Sequence, residues 1–172
     1  MPEKPAPGHA VRPIAVLSRH ARLRVDRRSV AAALRVLDLY RPSLELAGSV
    51  LDNSGEISIA LLSDEELAGL HGRFLGDSSA TDVITFSGDP ALGLAGEICV
   101  SVDAAERSAG ARRGAFAAEL TLYLVHGWLH LAGHDDLMPH KKRAMRRAEA
   151  RALGILRSCG AMPALALGPR RE

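Results

Sequence analysis

The sequence predicts one α+β domain, a mixed α/β layer in which a small sheet of about four strands packs with about five helices. Three observations carry that prediction. Strand-like runs alternate with helical patterns through the first half of the chain, the later half is almost wholly helical in period, and no internal repeat is visible. The 172 residues hold 47% hydrophobic and 24% charged side chains, the balance of a single globular domain able to bury a core.

The elements follow in order. Residues 1–13 contain four prolines and are expected to form a disordered leader, 14–157 the folded unit, and 158–172 a flexible tail. Ile14 to Ser18 is a short apolar run and reads as a strand. Arg28 to Leu39 places Val30, Ala33, Leu34 and Leu37 at helical spacing. Glu56 to Leu62 carries Ile57, Ile59 and Leu61 in alternation and reads as a core strand. Ser63 followed by Asp64, Glu65 and Glu66 has the form of a capping box, so a helix should run from there to about Gly72. Asp82 to Phe86 is a third strand and Leu94 to Val102 a fourth, with Gly96 marking a bulge or a close approach of backbone. Asp103 to Gly110 starts a helix. Ala115 to Ala132 is the longest helical pattern, and His140 to Leu153 is a final amphipathic helix with a basic face.

Charge is segregated along the chain. Residues 1–41 carry nine basic and three acidic groups, 42–106 one and twelve, and 107–172 twelve and five. The net charge of +2 excludes a uniformly basic coat for nucleic acid, while two basic ends around an acidic middle suit a cationic surface beside a metal-attracting pocket. Ordinary solvated helix faces would give the same counts. Aromatic residues make up 3% of the chain, which argues against stacking bases on several rings. Cys99 and Cys159 are the only cysteines, too few for a disulfide framework or a four-cysteine zinc site, so a reducing cytoplasm is expected. The first residues lack an apolar signal core and no apolar run is long enough to span a bilayer, so neither secretion nor a membrane partner is expected.

The chemistry concentrates between Val125 and Asp136. His126 and His130 lie one helical turn apart, the separation at which two imidazoles reach one tetrahedral ion. Gly133 reads as the helix C-cap, after which the chain can return His134, Asp135 or Asp136 to that ion. Three protein ligands would leave an open catalytic position. Seven histidines in the chain produce such a pair by chance often enough that a structural pair is the competing reading. Leu122, Val125 and Leu129 already supply the apolar face, so the histidines are not needed for packing. The motif is not that of the His-Glu-x-x-His metalloproteases, because Gly127 stands where their general base would be. Glu119, on the face of His126, is a candidate for orienting a ligand histidine or a plain surface glutamate.

Read together, His126-Gly127-Trp128-Leu129-His130-Leu131-Ala132-Gly133-His134-Asp135-Asp136 resembles the His-Gly-x-Leu-His-Leu-x-Gly-Tyr-Asp-His signature of the YbeY-type endoribonucleases, the bacterial rRNA maturation factors. Upstream, Leu70-His71-Gly72-Arg73-Phe74, Thr81-Asp82-Val83-Ile84-Thr85-Phe86 and Gly96-Glu97-Ile98 are similar to that family's other blocks, in its order, over about residues 45–155. The resemblance implies a zinc-dependent, single-strand-specific endoribonuclease acting in 16S rRNA 3′-end maturation and ribosome quality control. Its partners would be single-stranded RNA or rRNA and the ribosome or small-subunit proteins, with no DNA. It implies metal ligands at His126, His130 and Asp136, the last replacing the family's third histidine, with His134 at the family's tyrosine as the rival ligand. A carboxylate ligand widens the metal choice from Zn2+ toward Mn2+ or Fe2+. The family's arginine position aligns with Leu75, leaving Arg73 two residues away as the candidate for stabilising phosphate charge. Asp135 and Glu119 are candidates for proton transfer or histidine orientation. Arg112, Arg113, Lys142, Arg143, Arg146 and Arg147 are expected to follow the RNA backbone. Two rivals remain open: an RNA-binding ribosome-assembly factor with a structural metal and little nuclease activity, and a metal hydrolase of some other ester.

Overall fold

Three parallel strands and one antiparallel edge strand form the sheet on which the site is built. In the computed structural model, which describes residues 12–51, 55–75, 81–112 and 114–169, the elements are β1 (Ile14–Ser18), β2 (Leu23–Val25), α1 (Arg27–Leu39), β3 (Glu56–Leu62), α2 (Asp64–Leu75), β4 (Val83–Ser87), β5 (Leu94–Ser101), α3 (Val102–Ala109), α4 (Ala115–Leu131), α5 (Pro139–Ser158) and β6 (Leu165–Leu167). The main sheet has the order β1-β3-β5-β4, with β1, β3 and β5 parallel and β4 antiparallel to β5. Short turns of 3-10 helix at Arg41–Ser43 and Pro90–Leu92 complete the elements among the described residues.

The period-2 pattern of β3 explains the layers. Ile57, Ile59 and Leu61 enter the large core shared with α1, α4 and α5, while Ala60 and Leu62 join Leu67, Ile84 and Cys99 in a smaller core beneath α2. A sheet buried on both faces reads as a near-continuous apolar run, as β3 does. The capping box expected at Ser63 is present: the Glu66 backbone N–H donates to Ser63 Oγ at 3.3 Å, and Glu66 Oε2 accepts from the Ser63 N–H at 3.1 Å. At Gly96 both expectations hold. The β3–β5 register slips between Glu56 and Ile57, and a Cβ on Gly96 would stand 2.8 Å from Leu131.

The ends of the chain differ from the sequence reading. Where a loose tail was expected from 158, Leu165–Leu167 pairs antiparallel with Leu23–Val25 and Leu165 is buried. Two three-residue strands carry too little pattern to register as strands alone, and each is stable only because the other completes its hydrogen bonds. The last helix runs to Ser158, five residues past its expected end, because Ile155 and Leu156 continue its buried stripe. Of the expected leader, residues 1–11 lie outside the described residues, but Arg12 is buried. Its guanidinium donates to Asp38 Oδ2 at 2.5 Å, to the Leu51 carbonyl at 2.6 Å and to the Gly55 carbonyl at 2.7 Å. Three hydrogen-bonding contacts of this kind let a cation sit where an unpaired one would be prohibitively costly.

Candidate metal centre

Helix α4 is apolar on nearly every side, with Leu120, Leu124, Trp128 and Leu129 fully buried, as befits a central helix. Each such side chain contributes roughly 2 kcal/mol through burial. His126 and His130 occupy the strip of α4 that stays half-exposed. Gly127 explains how close the helix comes to the sheet: a Cβ there would lie 2.4 Å from Ile98 Cγ2 and 3.2 Å from Val83 Cγ1. Position 127 therefore faces β5 and β4, and no side chain placed there could act as a base beside the histidines.

The helix ends in a Schellman turn. The His134 N–H bonds the Leu129 carbonyl at 3.0 Å, the Gly133 N–H bonds the His130 carbonyl at 3.0 Å, and Gly133 takes a φ of +92° that favours glycine. This turn returns Asp136 to the histidines. One ligand atom from each of His126, His130 and Asp136 falls within 4.8 Å of the others. The two Nε2 atoms are 2.9 Å apart, His130 Nε2 is 3.8 Å from Asp136 Oδ1, and His126 Nε2 is 4.0 Å from Asp136 Oδ2. Donors about 2.0–2.1 Å from one tetrahedral ion stand roughly 3.3 Å apart, a spacing bracketed by these distances.

The outer nitrogens of both rings are committed. His126 Nδ1 is 2.7 Å from Glu149 Oε1 on α5, and His130 Nδ1 is 3.1 Å from the His134 carbonyl oxygen. Both acceptors take an N–H at Nδ1, which in the neutral rings leaves two Nε2 lone pairs facing each other and a carboxylate. That donor set suits a cation and is otherwise self-repelling. Electrostatics separate the rings. Burial disfavours charge on His126, but the Glu149 carboxylate, then Asp136 and Asp82, more than offset it and raise its pKa. Burial and the neighbouring His126 lower that of His130.

The remaining expected site residues disperse. His134, the rival ligand, places its Nε2 2.6 Å from the Leu44 carbonyl, away from the cluster. Asp135 pairs with Lys141 Nζ at 2.6 Å and accepts from the Leu137 N–H, contacts that lower its pKa. Glu119 approaches Arg112 at 4.0 Å. In the place expected of Glu119 or Asp135, the structure puts Glu149. Arg73 is exposed on α2 and donates from Nε to the Gly69 carbonyl of its own helix at 3.2 Å. Arg113 lies outside the described residues. Lys142, Arg143, Arg146 and Arg147 are all exposed on α5, and the first three line a depression of about 410 Å³ with Leu137 and Pro139. That depression begins at the residue following Asp136.

Sequence reasoning missed Glu149 and Asp82. The signal for Glu149 was its position as the one acidic residue in α5, four residues past the buried Met145. For Asp82 it was the Thr81-Asp82-Val83 block. Val83 packs against Gly127, which brings Asp82 near enough to His126 to favour its charged form.

The family model of Endoribonuclease YbeY matches residues 18–157. The Endoribonuclease YbeY of Anaeromyxobacter sp. (strain Fw109-5) is 43% identical over 107 residues, 59% of this chain and 56% of that protein, so the match spans about half of the relative's length. That of Chlamydia pneumoniae is 32% identical over 144 residues, 79% of this chain and 91% of that protein. The solution structure of TM1509 from Thermotoga maritima shares the fold, with a TM-score of 0.52 and 23% identity over 86% of this chain and 94% of that one. With the signature carried on the α4 strip and the family model running from the end of β1 nearly to the end of α5, this chain belongs to the Endoribonuclease YbeY family.

Proposed function

We propose that the protein is a metal-dependent endoribonuclease that cuts single-stranded RNA, with His126, His130 and Asp136 holding one divalent ion. The observation that carries the reading is the pair of Nε2 atoms 2.9 Å apart, on rings whose Nδ1 atoms are engaged elsewhere, within 4.8 Å of a carboxylate oxygen of Asp136. Bound there, an ion would supply Lewis-acid polarisation of a phosphate oxygen and an acidified water. Two imidazoles and a carboxylate suit Zn2+ and also accept Mn2+ or Fe2+.

The chain's own groups have separable tasks. His126 and His130 present Nε2, each ring fixed through Nδ1, and Asp136 adds one negative charge. Asp82 adds a further negative charge to the field felt by His126. Lys142, Arg143 and Arg146 bind backbone phosphates on the 3′ or 5′ side of the cut, with Leu137 and Pro139 as an apolar floor for a base. Arg73 meets phosphate only if the end of α2 comes to the cluster with RNA bound. The family and the site's cationic flank support rRNA as the substrate, 16S 3′-end maturation and ribosome quality control as the role, and the ribosome or its small-subunit proteins as partners. No described helix is long and apolar enough to cross a membrane, and the free thiols at Cys99 and Cys159 accord with the cytoplasm. Cleavage of an unstructured RNA oligonucleotide tests the reading. It should stop on chelation and return with added Zn2+, whereas cleavage indifferent to chelator would refute it.

A further inference from the structure

We propose that Glu149 is the positioning residue of the metal centre, holding His126 in the one ring orientation and tautomer that leaves Nε2 free to ligate. The inference rests on the metal reading above and adds to it the group on which His126 depends. The contact joins two helices. Glu149 Oε1 on α5 lies 2.7 Å from His126 Nδ1 on α4, and the side chains are 17% and 20% exposed. A carboxylate this far from water needs a partner, and the residues one turn either side of it on α5, Met145 and Leu153, offer none. Met145, Ala148 and Ala152 are buried against the core, which fixes α5 and so fixes the carboxylate.

The two histidines are thereby held unequally. His130 Nδ1 has a neutral backbone carbonyl, whereas His126 Nδ1 has an anion. A carboxylate accepting from Nδ1–H makes the opposite nitrogen a stronger electron donor and forbids the tautomer whose proton would block it. Without Glu149, the neutral His126 ring is free to carry its one proton on Nε2 instead of Nδ1 and bond His130, 2.9 Å away, collapsing the site onto itself.

The test compares Glu149→Ala and Glu149→Gln with the full-length wild type. Zn2+ affinity is read by competition with a chromophoric chelator, the His126 tautomer by nitrogen NMR of the metal-free proteins, and folding by their thermal unfolding. Glu149→Ala should bind Zn2+ about 10- to 100-fold more weakly. Its metal-free form should show protonation of Nε2 on His126 where the wild type shows Nδ1. Glu149→Gln, whose amide oxygen still accepts from Nδ1, should recover most of the affinity. Affinity of Glu149→Ala within about threefold of wild type would overturn the proposal. So would equal loss in both variants with equally lowered unfolding temperatures, since that is a packing role alone. A wild type that binds no Zn2+ would instead overturn the metal reading and this inference with it.

Discussion

Gly127 and Ile98 are in such close contact that no methyl group fits between them: a Cβ on Gly127 would stand 2.4 Å from Ile98 Cγ2. The contact sets the height of α4 above the sheet. Ile98 is fully buried and has nowhere to move. Gly127→Ala should destabilise the fold by about 1–3 kcal/mol despite alanine's better helix propensity, because overpacking outweighs the gain. Thermal unfolding checks it, and a variant as stable as wild type would show that α4 can lift.

The depression beside Asp136 gives a prediction for RNA. Neutralising Arg143 and Arg146 together should weaken binding of single-stranded RNA about equally across sequences and reduce the salt slope by roughly one to one and a half units, at about 0.7 per phosphate. Metal content should not change. An unaltered slope would mean that this face of α5 is only solvated.

Asp64 gives a pH dependence. Burial works against its charge, but the Arg107 guanidinium and the Ser101 hydroxyl at 2.5 Å outweigh burial and hold its pKa below the ordinary value. A carboxylate with a depressed folded pKa adds stability above its unfolded value and loses it as pH falls through the folded one. Asp64→Asn should therefore be less stable than wild type at neutral pH, with the difference shrinking below about pH 4. Denaturant unfolding across pH reads this, and a difference constant from neutral to acid would contradict it.

The β2–β6 pair predicts that Leu165–Leu167 is structural. Leu165→Ala should cost about 2–3 kcal/mol and lower the unfolding temperature by several degrees. An unchanged melting profile would mean that this short strand adds nothing to the fold.

Legibility in the sequence followed contact range. His126, His130 and the Gly133 turn were readable because a helix and its cap are local, written within nine residues. The central strands β3 and β5 were readable because burial on both faces leaves apolar runs. Glu149 was not, since its partner is 23 residues away on another helix and only packing brings them together. Arg12 looked like part of a proline-rich leader because its partners, Asp38, Leu51 and Gly55, are set by the closure of loops. Asp136 could be separated from His134 only by the path of the chain after the turn, which sends the His134 ring to Leu44.

The central claim is that His126, His130 and Asp136 together hold one divalent ion. Elemental analysis of purified wild type, Asp136→Ala and His134→Ala tests it most directly. The account predicts about one ion per chain in wild type and in His134→Ala, and loss of the ion in Asp136→Ala. Retention in Asp136→Ala with loss in His134→Ala would contradict it.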